Sequence, residues 1–120
     1  MATQTTPLAQ RECVPCKGDV PPMHPADVST MLMYLPGWQH QDFKRLKKSY
    51  RLKNFVTALD FVNRIGAVAE EQNHHPDLYL AWGKVDALLW THKIDGLTES
   101  DFIFAAKIDA LYATAEGKKD

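Results

Sequence analysis

Three histidines and one carboxylate are the side chains of this sequence best suited to chemistry. His74 and His75 stand together, and His92 follows His75 by seventeen residues. Glu70 precedes His74 by four residues. An imidazole group, with an ordinary pKa near about 6.5, can give or take a proton at neutral pH. Histidines that face one cavity would therefore suit acid–base chemistry.

A long helix is predicted to carry Glu70 towards the two adjacent histidines. The segment NFVTALDFVNRIGAVAEEQN has apolar residues at helical spacing. This helix should end near Asn73 or His74, because Pro76 disfavours helical backbone at His75. If the helix persists to His74, Glu70 lies one turn earlier and could orient that imidazole. The predicted inner face consists of Phe55, Ala58, Leu59, Val62, Ile65, Gly66 and Ala69.

Two strands are predicted to bring the third histidine to the same place. The segments DLYLAWG and KVDALLWTH are joined by a turn near Gly83. In such an antiparallel hairpin the start of the first strand lies beside the end of the second. His74 and His75 should therefore lie beside His92. In the second strand, Val85, Ala87, Leu89 and Thr91 alternate with Asp86, Leu88, Trp90 and His92.

The other elements complete an α+β domain. PADVSTMLMYL predicts a short helix, with Val28, Met31 and Leu32 on one face, and WQHQDFKRLKKSYRL predicts two short strands that break near Gln41 and Asp42. The closing segment TESDFIFAAKIDALYATAEG predicts a helix that begins with a Thr98–Asp101 capping pattern. The predicted fold is a four-stranded antiparallel sheet with three helices packed on one face. Its unpaired edges or open face favour self-association.

Composition is that of one globular domain. The chain has 120 residues, a net charge of -1 and 45% hydrophobic residues. This charge gives no electrostatic reason for direct nucleic-acid binding, and the absence of a long apolar run or signal peptide predicts a cytoplasmic protein away from membranes. Residues 1–22 carry four of the seven prolines and no periodicity, which predicts an extended or mobile arm before a domain at 23–120.

Cys13 and Cys16 form a CxxC pair within this arm. A structural zinc ion usually takes four ligands, so the pair is half of a site unless His24 or a neighbouring subunit contributes. Redox activity is a further alternative. Unligated cysteines in a reducing compartment are the simplest interpretation.

Each candidate residue also has an ordinary structural explanation. Adjacent histidines before a proline can be polar residues of an exposed turn. Glu70 can be a solvated helix residue, Asp101 a helix cap and Trp38 or Trp90 a core or interface residue. The combination is more informative than any single position.

Taken together, these residues resemble a known family. The pattern of Glu70, His74-His75-Pro76, Trp82, His92 and Asp101 is similar to the signature of the pterin-4a-carbinolamine dehydratases. Leu35-Pro36-Gly37-Trp38, FKRLKKSYRLKNF and THKIDGLTESD add to the resemblance, which covers Met23 to Leu111. The CxxC arm looks more like bacterial members than animal ones.

The resemblance implies both a fold and an activity. Family members have a four-stranded antiparallel sheet with helices on one face, and they form homodimers or homotetramers. The implied reaction removes water from 4a-hydroxytetrahydropterin to give quinonoid dihydropterin, without a metal or organic cofactor. It would recycle the tetrahydrobiopterin of an aromatic amino acid hydroxylase. By similarity, the catalytic residues are His74, His75 and His92 with Glu70, and the substrate-binding residues are Asn73, Pro76, Trp90, Thr91, Trp38 and Asp101.

Two other functions stay open on the sequence alone. Glu70, His74 and His92 could in principle bind an iron or zinc ion as two histidines and one carboxylate. The second alternative is a non-catalytic module that binds pterin or dimerises another protein, since some animal family members also act as dimerisation cofactors for a homeodomain transcription factor.

Overall fold

The computed structural model describes residues 7–14 and 20–119. A short 3₁₀ helix at Leu8–Gln10 precedes the main elements, and a second lies at His92–Ile94. The elements in chain order are α1 (Pro25–Leu32), β1 (Gln39–Gln41), β2 (Arg45–Leu52), α2 (Phe55–Gln72), β3 (Asp77–Ala81), β4 (Lys84–Leu89), α3 (Glu99–Ala113) and β5 (Lys118–Lys119).

The strands form one antiparallel sheet in the order β1-β2-β4-β3. This confirms the predicted four-stranded antiparallel architecture. A fifth strand, β5, was not predicted, because two lysines carry no alternation of apolar and polar residues. It pairs Lys118 and Lys119 with Leu52 and Arg51 of β2.

The core lies between the helices and one face of the sheet. β4 contributes Val85, Ala87 and Leu89 to this face, as its alternation predicts, and these side chains are fully buried. In α1, Val28 is fully buried, with Met31 and Leu32 packed against the same core. From the other elements, the large fully buried side chains include Leu46, Tyr50, Leu52, Phe61, Ile65, Phe102, Phe104 and Ile108.

The inner face of α2 differs from the predicted one by a rotation of the helix. Phe61 is fully buried, whereas Phe55 and Leu59 are 46% and 38% exposed. Two neighbouring stripes of α2 are apolar at helical spacing, so periodicity alone does not decide which stripe meets the sheet. Ala58, Ile65 and Ala69 were placed correctly.

The described part of the N-terminal arm packs against the rest of the domain. Its 3₁₀ helix packs Leu8 against the core, and Cys13 is only 8% exposed. The sequence gives no sign of this, because the polar partners of the arm, Gln72 and Ser100, are distant in the chain. Cys16 lies outside the described residues. No helix in residues 7–14 or 20–119 has the length and apolarity to cross a membrane.

Candidate active site

The end of α2 determines where His74 and His75 point. Asn73 ends the helix in the left-handed conformation, at φ 51° and ψ 43°. The backbone N–H groups of Asn73 and His74 both donate to the carbonyl oxygen of Ala69, so the chain leaves the helix before His74. Glu70 and His74 therefore do not share a helical face.

Glu70 pairs with His75 instead. The distance from Glu70 Oε2 to His75 Nε2 is 2.6 Å. The prediction that Glu70 orients His74 was wrong, because it required the helix to continue to His74, whereas α2 ends at Gln72. Both side chains of the observed pair are exposed, Glu70 at 79% of its side-chain surface.

His74 is oriented by Asp101, a side chain of the first turn of α3. The distance from His74 Nε2 to Asp101 Oδ1 is 2.6 Å, and Asp101 is fully buried. The other carboxylate oxygen, Oδ2, accepts hydrogen bonds from Thr91 Oγ1 at 2.8 Å and from the Thr98 backbone N–H at 3.0 Å. Thr98 and Asp101 form the predicted capping box, so one carboxylate both caps α3 and holds an imidazole.

These contacts fix which ring nitrogen each histidine offers. An ionised carboxylate only accepts hydrogen bonds, so the Nε2–H of His74 donates to Asp101 and that of His75 donates to Glu70. Nδ1 is then the nitrogen of each ring that remains for a substrate. A carboxylate on the far nitrogen also stabilises the imidazolium that forms when a histidine takes up a proton.

The third histidine follows β4. Thr91 and Gly96 close the loop through a backbone hydrogen bond of 2.8 Å, and His92 begins the 3₁₀ helix between them. The His92 ring meets the Trp90 ring edge to face, with centroids 4.2 Å apart. The Arg45 guanidinium lies over the Trp90 ring at 4.3 Å.

One open cavity brings the predicted histidines together. It has a volume of about 330 Å³. The β3–β4 register, in which Asp77 lies opposite Leu88, places the start of one strand beside the end of the other. Lys93 was missed by the sequence analysis, although it directly follows His92 in the THK segment. The lining residues are Asn73, His74, His75, Trp90, Thr91, His92 and Lys93.

Other predicted site residues lie elsewhere. Trp38 is buried in the core, where its Nε1–H donates to Asp109 Oδ2 at 3.1 Å, and it does not line the cavity. Trp82, which was part of the family resemblance and not a predicted site residue, is exposed at the turn between β3 and β4, at the opposite end of the hairpin from the histidines. Pro76 does not line the cavity either. Asp101 and Glu70 do not line the cavity themselves, but each contacts a histidine that does.

An ion pair between Arg45 and Asp95 lies beside the cavity. Arg45 Nη2 donates to Asp95 Oδ1 at 2.6 Å, and this bond lowers the pKa of Asp95. Across residues 7–14 and 20–119, no three His, Cys, Asp or Glu side chains meet in a group that could hold a metal ion. The alternative set of Glu70, His74 and His92 is thus not assembled, since Glu70 and Asp101 each bind a different histidine.

Comparisons with known proteins identify the family. The family model described as Pterin 4 alpha carbinolamine dehydratase matches residues 21–111. A protein of Rubrobacter xylanophilus named "Putative pterin-4-alpha-carbinolamine dehydratase" is 57% identical over 104 residues, covering 87% of this chain and 97% of the relative. A protein of Rickettsia canadensis with the same name is 47% identical over 106 residues, covering 88% and 97%. The chain belongs to the pterin-4a-carbinolamine dehydratase family.

Solved structures share the fold. A crystal structure of a protein from Brucella melitensis, described as a transcriptional coactivator/pterin dehydratase, has a TM-score of 0.71 and 33% identity, covering 75% of this chain and 97% of the other. A pterin dehydratase-like protein described as a RuBisCO assembly factor in the alpha-carboxysome has a TM-score of 0.53 and 24% identity, covering 66% and 89%. The second likeness shows the fold alone.

Proposed function

We propose that this protein dehydrates 4a-hydroxytetrahydropterin to quinonoid dihydropterin by histidine acid–base catalysis. The observation that carries the proposal is one cavity lined by His74, His75 and His92, in which two of the rings are each held by a carboxylate. The family shown by the comparisons names the substrate class. The reaction would recycle tetrahydrobiopterin for an aromatic amino acid hydroxylase in the cytoplasm.

The reaction needs two proton transfers, which these side chains can divide. The 4a-hydroxyl leaves with the electrons of its bond to carbon and takes a proton from an acid, so water is released. The N5 lone pair forms the new double bond to carbon 4a, and the N5 proton passes to a base. No oxidant or reductant is consumed.

The two carboxylate-bound imidazoles suit the proton-transfer tasks. Asp101 stabilises the protonated form of His74, and Glu70 does the same for His75, so each ring can act as an acid or a base. The Trp90 ring offers the flat bicyclic pterin an apolar surface at the cavity wall. Asn73 and Thr91 line the cavity as polar groups for the pterin edge.

The decisive experiment measures how fast 4a-hydroxytetrahydropterin, generated by a phenylalanine hydroxylase, disappears. We expect the wild type to exceed the spontaneous rate. His74→Ala, His75→Ala and His92→Ala should each lower kcat by about 100-fold or more, the usual effect of removing a general acid or base. The matched control is His24→Asn, which removes an imidazole that caps α1 outside the cavity and leaves an alternative capping side chain.

A non-catalytic role is the second candidate, because the related Brucella protein is described as a transcriptional coactivator as well as a pterin dehydratase. In that case the wild type would not exceed the spontaneous rate, although calorimetry would show that it binds a tetrahydropterin or a protein partner. A folded, inactive wild type would reject the dehydratase proposal. Equal kcat values for the His24 control and the three cavity variants would reject the proposed role of the histidines.

A further inference from the structure

Residues 7–14, here called the N-terminal strap, contact both elements that carry the His74–Asp101 pair. The first contact is with Gln72, the last residue of α2 and two residues before His74. Its side-chain Oε1 accepts a hydrogen bond from the Cys13 backbone N–H at 2.8 Å, and its Nε2 donates to Glu12 Oε2 at 3.0 Å. Both ends of this buried amide are therefore bonded to the strap.

The second contact is with Ser100, which precedes Asp101 in the first turn of α3. The Ser100 hydroxyl accepts from the Val14 backbone N–H at 2.8 Å and donates to the Val14 carbonyl oxygen at 3.0 Å. Cys13 Sγ also lies 3.5 Å from the Ser100 carbonyl oxygen. Ser100 is only 4% exposed, so the Ser100 side of these bonds is buried.

The rest of the strap is anchored on α3 and the core. The Lys107 ammonium group donates to the Ala9 carbonyl oxygen at 2.8 Å, and Arg11 lies 3.5 Å from Glu99. Leu8 packs against the hydrophobic core. With one part bonded to α3 and another to the end of α2, the strap bridges these two helix ends.

We propose that the N-terminal strap, acting through Gln72 and Ser100, positions His74 and Asp101 for proton transfer. The His74–Asp101 bond joins the same two helix ends as the strap, so its geometry depends on their separation. A displacement of about 1 Å in a catalytic group can cost about 100-fold in rate. As a statement about catalysis, this inference rests on the proposed dehydratase activity. Gln72 and Ser100 are positioning residues, since neither lines the cavity.

The test uses the full chain with Ser100→Ala, Gln72→Met and the double variant. Each single substitution removes hydrogen bonds to the strap and keeps a side chain of similar or smaller size. We expect kcat to fall about 10-fold in each, with KM within about twofold, because the substrate contacts are retained. The kcat of the double variant should be little lower than that of either single variant, since both substitutions release the same strap.

A spectroscopic readout separates positioning from a loss of stability. Nuclear magnetic resonance of ¹⁵N-labelled protein follows the His74 Nε2–H that donates to Asp101. We expect this signal to shift or broaden in both single variants. Tyr50→Phe is the matched control, because it removes a buried hydrogen bond to Asp109 on the same helix, away from the cavity.

The outcomes are distinct. A larger fall in kcat than in the Tyr50 control, together with a changed His74 signal, supports the inference. A fall no larger than that of the control, or an unchanged His74 signal, overturns it. An inactive wild type rejects the proposed function instead, and the His74 signal alone then decides whether the strap positions the pair.

Discussion

The two carboxylate–imidazole pairs of the site have equal hydrogen-bond lengths but opposite environments. Asp101 is fully buried and accepts two further hydrogen bonds, whereas Glu70 is largely solvated. An exposed ion pair adds little free energy, because water screens the charges and the side chains lose entropy when they pair. A buried, fully bonded carboxylate orients its partner far more strongly.

Asp101→Asn should therefore impair catalysis much more than Glu70→Gln. The asparagine oxygen can still accept the hydrogen bond from the Thr98 backbone N–H. The side chain then has no second oxygen to accept from His74, and it carries no charge to stabilise a His74 imidazolium. We expect kcat to fall by about 100-fold or more for Asp101→Asn and by only a few-fold for Glu70→Gln. Steady-state dehydration assays of both variants measure this difference.

Asp109→Asn provides the control on the same helix. Asp109 is another carboxylate of α3 with three side-chain donors, but it lies away from the cavity. Asp109→Asn should have the wild-type kcat at temperatures below the unfolding temperature of the variant. If Asp109→Asn lost as much activity as Asp101→Asn, a general loss of packing in α3 would explain both effects.

Cys13 should make the protein less stable at high pH. Burial is the main cause that raises the pKa of this thiol from its ordinary 9.0 to about 11. Below pH 9 the thiol is neutral in both states. Between pH 9 and about 11 it ionises only in the unfolded chain, so about 2 kcal/mol of folding free energy is lost there.

Urea unfolding of the wild type and Cys13→Ala at pH 8 and pH 11 checks this prediction. Other groups titrate equally in both proteins. The test is therefore whether the free energy of unfolding falls more in the wild type than in Cys13→Ala between pH 8 and pH 11. Parallel pH dependence in the two proteins would show that the Cys13 thiol is not shielded in the folded state.

At the scale of elements, one carboxylate joins α3 to the sheet. Asp109 accepts hydrogen bonds from Trp38 Nε1, from Lys48 Nζ at 2.8 Å and from Tyr50 Oη at 2.6 Å. Burial first, and then the Asp109 charge, raise the pKa of Tyr50, so its hydroxyl stays protonated as a donor. This cluster explains why Trp38 is a structural residue.

Asp109→Ala should lower the free energy of unfolding by about 2–4 kcal/mol, because it leaves the buried indole and phenol donors without their acceptor. Chemical denaturation monitored by tryptophan fluorescence measures the change. The control is Asp60→Ala, which breaks only an exposed pair with Arg64 on α2 and should cost less than about 1 kcal/mol. Similar losses in the two variants would contradict a special role for the Asp109 cluster.

Much of the fold could be predicted because most elements depend on local sequence. Alternation in β4, the break near Gln41, the effect of Pro76 on the end of α2 and the capping pattern of α3 act over a few residues, and the structure confirms the elements that they predict. The inner face of α2, the strand β5 and the docked strap depend on tertiary contacts. Those contacts leave no periodic signal in the sequence.

The site was predictable to a similar extent. The hairpin register is set by one turn, so the sequence alone was enough to place His92 beside His74 and His75. The partner of His74 was not predictable, since Asp101 is 27 residues away and the contact requires the left-handed end of α2 at Asn73. The capping pattern predicts that the Asp101 carboxylate lies at the start of α3. Its contact with His74 forms only when the ends of α2 and α3 pack together.

At the scale of the whole molecule, an exposed apolar stripe of α2 leads us to predict self-association. Phe55 and Leu59 lie one helical turn apart, and Val56 beside them is 66% exposed. Such a continuous apolar surface usually marks an interface. The α2 stripe is a third candidate interface, beside the sheet edge and the open sheet face that the sequence predicts. Homodimers or homotetramers are therefore expected.

Leu59→Glu should reduce the mass measured by light scattering at equal protein concentration. A charge in the middle of the stripe would be buried without a partner if two copies met there, so association should weaken by several-fold or more. Ser29→Glu is the control, because it adds the same charge at an exposed position of a different helix, α1. A monomeric wild type would contradict self-association. An oligomer that survives Leu59→Glu would instead place the interface on the sheet, at its open face or at the edge of β3 that has no partner strand among the described residues. Tyr79→Pro should then disrupt only an interface at that edge.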